Sequence, residues 1–353
     1  MIRRSGFGTA VILCLIVLIG ILAGAATEAR RAQAAAQAPG TSGEAAAILA
    51  AAREALGGDK RMSAIKTISS TGRTRQVQGD NLVPIEFEIT IELPDKYVRT
   101  DEIPARESGP NSRGFNGNGL IQIGDAPGPG GRRGGPPPPG AGVPPPSGAP
   151  AREGGGDRGR GPGGPPPNPT LPVKQDFARL TLGMFAMSFS SYPLTFGYAG
   201  QAEAPEGKAD VIDVKGEGNF AARLFIDSKT HLPLMLSWTT PPNLVPVVRG
   251  QAPPANLAPG AVTFETPIPP SASATAEQKK QFEEEALAAR AAAMKSARPT
   301  EHRLYYADYR EVDGLKFPFR LRRAVGATTT EETLFDRFRI NGRVDPRKFE
   351  VRK

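Results

Sequence analysis

Over Leu82–Leu93 apolar and polar side chains alternate strictly. Ile85, Phe87, Ile89, Ile91 and Leu93 fall on one face; Glu86, Glu88, Thr90 and Glu92 fall on the other. A period of two describes a strand with one buried and one wet face. Shorter β patterns follow at 97–100, 120–123, 193–199, 209–215, 220–227 and 232–239. Three longer ones close the chain at 302–311, 316–324 and 329–340, the first two joined across Asp313-Gly314, a strong hairpin turn signal. Helical spacing appears in three places. Over 44–56, Ile48, Leu49, Ala52 and Leu56 share a broad face, Ser42 is placed to cap, and Gly57-Gly58 ends the run. Over 173–189, Phe177, Leu180, Met184, Phe185 and Phe189 form an apolar stripe. Over 275–297, Lys279/Glu283 and Lys280/Glu284 mark an exposed helix that Pro299 closes. About nine to eleven strands with few helices and no βαβ period predict an α+β fold, an antiparallel sheet with helices on one face.

Composition changes this picture at two places. Segment 126–172 holds 16 Pro and 15 Gly, and residues 240–274 form a second Pro-rich loop. The first cannot bury enough apolar surface to offset its ordering entropy, so it reads as a disordered insertion. Its Pro-Pro-Pro runs can sample polyproline II and dock an envelope protein, or serve as an inert tether. The chain therefore divides into 1–38, a leader or anchor; 39–125, the first part of the sheet domain; the insertion 126–172; and 173–353, the second part.

At the N-terminus, Arg3 and Arg4 precede an uncharged run from Ala10 to Ala26, followed by Ala-x-Ala spacings. A basic start, apolar middle and small-residue exit are the parts of a secretory signal; an uncleaved anchor is the alternative. Either places the rest in the periplasm. The net charge is +8 over 353 residues, much of it in the leader and in the arginines of the insertion. No basic stripe marks an ordered face, so nucleic acid is not an expected partner. The Arg-bearing loop is a candidate for weak attraction to an anionic membrane surface.

The chemistry-bearing residues are sparse. Cys14, the one cysteine, lies inside the apolar run, which excludes disulfides and thiolate sites from a cleaved chain. His231 and His302 are the two histidines, and no pair has zinc-ligand spacing. There is no Gly-x-Ser-x-Gly elbow and no P-loop; Phe115-Asn-Gly-Asn-Gly119 reads as a hairpin. Glu86, Glu88 and Glu92 read as the wet face of a strand rather than an acid–base pair. No metal, no cofactor and no catalytic residue is expected, and the chain is read as non-enzymatic.

Three stretches resemble the outer-membrane lipoprotein carrier (Lol-type) superfamily. In Leu224–Leu234 an apolar strand ends at Asp227, and Lys229, Thr230 and Pro233 form the turn into the next strand. Tyr309–Arg320 carries a Tyr-x-x-Val-x-Gly-x-x-x-Pro hairpin, and Phe335–Phe349 is similar to the closing strand and tail. Gly114-Phe-Asn-Gly117 matches more weakly. The 47-residue insertion departs from a compact carrier, and no functional arginine of the family can be placed. The resemblance implies a strongly curved half-barrel with helices on its concave side and an apolar space able to take lipid or lipoprotein acyl chains. Candidate lining residues are Ile85, Phe87, Ile89, Ile91, Phe185, Phe189, Leu234, Leu236 and Trp238. The same residues would also serve a solidly packed core, in which case the domain is a cell-envelope interaction module.

Overall fold

The computed structural model describes residues 42–78, 81–104, 109–124, 168–204, 207–255, 257–271 and 273–351. The expected leader (1–38) and most of the Pro/Gly insertion lie outside them. The first described element is α1 (Ser42–Ala55), which ends where Gly57 and Gly58 take φ of 128° and 91°. A short α2 (Asp59–Ser63) follows. Five strands come next: β1 (Thr67–Gln78), β2 (Asn81–Glu92), β3 (Lys96–Glu102), β4 (Asn111–Asn116) and β5 (Gly119–Ile123). After the insertion, α3 (Leu171–Phe185) starts two residues earlier than the composition shift indicated and stops where Ala186 turns left-handed. Then come β6 (Leu194–Ala204), β7 (Gly207–Gly216), β8 (Phe220–Asp227) and β9 (Pro233–Thr240).

The expected loop 240–274 is not structureless. It contains β10 (Asn243–Val248) and β11 (Ala261–Thr266), which pair in parallel as a separate ribbon. Next is α4 (Ala276–Ser296), opened by a capping box in which Thr275 and Gln278 each accept from the other's backbone N–H. The chain closes with β12 (Thr300–Val312), β13 (Leu315–Val325), β14 (Thr328–Ile340) and a 3-10 turn (Pro346–Phe349). Between β12 and β13, Asp313 and Gly314 both have positive φ, 52° and 78°, as a two-residue hairpin requires.

Twelve strands form one open antiparallel sheet, ordered β5-β4-β3-β2-β1-β14-β13-β12-β9-β8-β7-β6. Its curvature follows from α3. Phe177 on this helix meets Phe115 of β4 at 5.4 Å, and Arg179 lies 5.2 Å from the Phe220 ring of β8. In a flat sheet eight inter-strand steps would separate β4 from β8 by roughly 38 Å, whereas a helix is about 10–12 Å across. The sheet therefore wraps around the helix. Bulges at Thr71/Gly72 and Phe225/Ile226 add local bend.

The concave side is packed. Phe87, Ile89, Ile91, Phe177, Leu182, Phe185, Leu236 and Phe317 are all buried there. The helix is fixed by two hydroxyls: Tyr306 donates to the Arg179 carbonyl at 2.5 Å, and Tyr309 to the Gly183 carbonyl at 2.8 Å. Gly183 sits flush on Tyr306, whose ring carbons would lie 2.2 Å from any added Cβ.

The convex face is not uniformly wet. Thr90, placed on the solvent side by alternation, is buried, as are its neighbours Val98 and Ile121. The C-terminal turn covers this end of the sheet: Phe349 packs with Val98 and Ile121, Asn116 donates to the Phe349 carbonyl at 3.1 Å, and Lys348 pairs with Glu88 at 2.5 Å.

The close approach of α3 to β12 has a measurable consequence. Gly183→Val forces Tyr306 or the helix aside, and should cost about 1–3 kcal/mol or more, read as a lower urea midpoint. Gly197→Ala, where a Cβ meets nothing within 4 Å, should leave the midpoint unchanged or slightly raised.

Candidate functional site

A cavity of about 840 Å³ opens at the C-terminal end of α3, between that end and the two N-terminal helices. One stripe of α1 forms its first wall: Ser42, Ala46, Leu49 and Arg53, spaced i, i+4, i+7 and i+11 and so superposed on one helix face. Met62 and Ile65 come from α2 and the link to β1, Leu93 from the β2–β3 turn, and Phe185, Met187 and Phe189 from the end of α3 and beyond. Leu49, Met62, Ile65 and Phe185 are buried and make the floor; Ser42, Ala46, Asp59 and Ser63 are exposed and mark the mouth. The left-handed Ala186 directs residues 187–189 away from the helix axis, which leaves space where a further helical turn would stand. At the mouth, Arg53 Nε donates to Asp59 Oδ1 at 2.6 Å. The volume lies within the range of small-molecule sites, about 300–1,000 Å³.

Of the nine residues singled out from the sequence, Phe185 and Phe189 line this cavity. Phe87, Ile89, Ile91 and Leu236 are buried on the concave face, and Ile85 and Trp238 are half-buried. Phe87 meets Phe335 edge-to-face at 5.3 Å in the packed core rather than bordering open space. Leu234 is 40% exposed. The reason is the β8–β9 bulge: Phe225 pairs with Met235 and Ile226 with Pro233, so Leu234 is the unpaired extra residue and turns outward. The residues that alternation missed are Ala46, Leu49, Arg53, Met62 and Ile65. Of the α1 stripe only Leu49 belongs to the helix face visible in the sequence; Ser42, Ala46 and Arg53 are small or polar and do not register in a search for apolar positions.

Beyond α3 the concave face turns polar. Arg99 donates to Asp101 at 2.7 Å and to Thr74 at 3.2 Å, and Thr74 shares a hydrogen bond with Thr333 at 2.9 Å. The Arg179 guanidinium lies 4.6 Å from the Trp238 ring, and burial lowers its pKa. Burial raises the pKa values of Tyr97 and Tyr306. His302 stacks on Trp238 at 5.4 Å, with Nε2 2.9 Å from Thr240 Oγ1.

The other polar motifs are structural. Asp227 Oδ1 accepts from the Lys229 and Thr230 backbone N–H groups and from the Thr230 hydroxyl, and those backbone bonds hold its carboxyl below the usual range. His231 donates its backbone N–H to the Asp227 carbonyl within the same turn. Asp308 pairs with Arg310 on the surface. Among the described residues no group of three or more His, Cys, Asp or Glu side chains is placed to hold a metal ion, and no helix is long and apolar enough to cross a membrane.

No family model matches this chain, and no curated protein does. Solved structures do. The chain is similar to a LolA superfamily protein from Nitrosomonas europaea at 12% identity, with 88% of this chain and 97% of that one covered and a TM-score of 0.42. A DUF1329 family protein from Desulfovibrio piger is 7% identical, with 87% and 97% covered and a TM-score of 0.37. A domain assigned to outer membrane lipoprotein sorting from Vibrio parahaemolyticus is 8% identical, with 86% and 97% covered and a TM-score of 0.38.

His302 gives the folded protein a pH dependence. Burial, then Arg179 and Arg323, disfavour its imidazolium, so its folded pKa falls below the ordinary value of about 6.5. The unfolded chain binds the proton more readily between the two values. This contribution to stability is complete above the unfolded pKa, declines as pH falls below it, and levels off beneath the folded pKa. Urea midpoints measured across that window should fall less steeply with acid in His302→Gln than in the parent.

Proposed function

We propose that the protein is a non-enzymatic binding protein of the cell envelope, acting in the periplasm, that shelters an acyl chain or a similar elongated apolar group in the cavity between α1, α2 and the end of α3. The observation that carries this reading is the form of that cavity: a buried aliphatic and aromatic floor, a polar mouth and a volume suited to a small ligand. The three sequence stretches that resemble the Lol-type carriers support a trafficking role for lipids or lipoproteins, and the basic-then-apolar N-terminus supports export. The candidate site moves with the geometry. It is centred on Leu49, Met62, Ile65, Phe185 and Phe189, which line that cavity. Each methylene buried there contributes about 0.8 kcal/mol before the cost of association is subtracted. A half-filled cavity is therefore enough for measurable affinity.

A second reading draws on the filled space between α3 and the sheet. A solid core there fits an interaction module whose work lies on its surfaces, where β10, β11 and α4 stand apart from the main sheet. Ligand binding separates the two. Purified protein should release bound lipid on organic extraction and should displace a fluorescent fatty acid from itself when titrated with unlabelled chains. Ala46 is exposed at the mouth, so Ala46→Trp should block entry while leaving the thermal midpoint unchanged, and should weaken displacement about tenfold or more. Absence of lipid and of displacement in the parent protein would favour the interaction module.

A further inference from the structure

We infer that the cavity selects anionic single-chain amphiphiles, long-chain carboxylates above all, and that Arg53 is the residue that holds their head group. This rests on the acyl-chain reading above and names the class of ligand within it.

The walls of the cavity sort by chemistry along its depth. Leu49, Met62, Ile65 and Phe185 are buried, whereas the polar side chains of Ser42, Asp59 and Ser63 are at the exposed rim. An apolar depth beneath a polar rim matches a molecule with one long tail and one compact head. Arg53 is the one basic residue among the lining residues, and it belongs to the stripe of α1 that also carries Leu49 one turn earlier. It stands further in than its partner: its side chain is 21% exposed against 68% for Asp59.

Arg53 also has donors to spare. Asp59 Oδ1 takes its Nε–H at 2.6 Å, and among the described residues no acceptor takes its two Nη groups. A guanidinium presents five N–H donors in a planar fork that fits a carboxylate through two parallel bonds. With Nε committed, the two Nη groups remain for a ligand carboxylate. Asp59 both holds the guanidinium in place and competes for it by charge. The site is part-exposed, so added salt screens the ligand carboxylate as well as Asp59, and the laurate preference narrows as salt rises.

The competition gives opposite signs for the two substitutions. Laurate and lauryl alcohol share a tail and differ in the head, and both can be titrated calorimetrically against the whole protein. Laurate should bind the parent about tenfold or more tightly than the alcohol, as expected for a charge-assisted bond. Arg53→Gln should remove that preference by weakening laurate far more than the alcohol, and Arg53→Lys should restore part of it. Asp59→Asn should tighten laurate more than the alcohol. Thermal unfolding of each variant shows whether it is folded, and the Asp59→Asn gain cannot arise from misfolding. Equal binding of laurate and alcohol by the parent, or a laurate preference that survives Arg53→Gln, would overturn the head-group assignment and leave the acyl-chain reading standing. Binding of neither would overturn both.

Discussion

Helix α3 touches β4 with Phe177 and β8 with Arg179, strands that a flat sheet would hold several helix widths apart. Bridging those strands with one helix obliges twelve strands to curl, and the rest of the architecture follows. The concave face becomes a single enclosed layer in which aromatic rings from β2, β3, β4, β13 and β14 meet the helix or one another. The helix cannot rotate or slide freely. Gly183 allows contact with Tyr306, and the Tyr306 and Tyr309 hydroxyls occupy the Arg179 and Gly183 carbonyls. Buried hydroxyls of this kind fix geometry more than they add stability, because each replaces a bond to water.

That clamp also decides where empty space remains. Midway along α3 the helix and the sheet fill the concavity. At the C-terminal end the helix stops at a left-handed alanine, and the chain leaves for β6 through residues 187–189. The short helices α1 and α2 cover this end without closing it. The cavity is thus a product of helix length and of the way the covering helices end, and its walls are drawn from segments far apart in sequence. Leu49 of its floor and Arg53 beside its mouth stand one turn apart on the same α1 stripe, which couples the packing of that helix to the proposed binding chemistry.

The polar half of the concave face has a different character. Arg99, Thr74, Thr333 and Asp101 satisfy one another, and Arg179 covers Trp238. Satisfied networks in a partly buried setting specify strand register, since a slip of one residue would turn every member to the outside. The turn built by Asp227 does the same for β8 and β9 from without. The residues that look most like chemistry in the sequence are therefore largely fasteners, and the groups placed to meet a ligand, Arg53 among them, are unremarkable in sequence.

Local patterns fixed much of the framework by themselves. Alternation is a property of the extended backbone, so it marked β2, β12, β13 and β14; glycine and asparagine or aspartate tolerate positive φ, so Asp313-Gly314 and Gly117 announced their turns. Helical spacing found α1 and α3, and the charge pairs four residues apart found α4. What needed the tertiary structure was every feature made by two distant segments. Thr90 lies on the polar face by its period and is buried because the C-terminal tail arrives there. Leu234 has the right period for the interior and turns outward because one extra residue enters the β9 ladder. The Pro-rich 240–274 region conceals a strand pair whose partners are separated in sequence. The cavity belongs to this second group. A void is the place where packing does not reach, and no periodicity in one segment records how far the side chains of another extend.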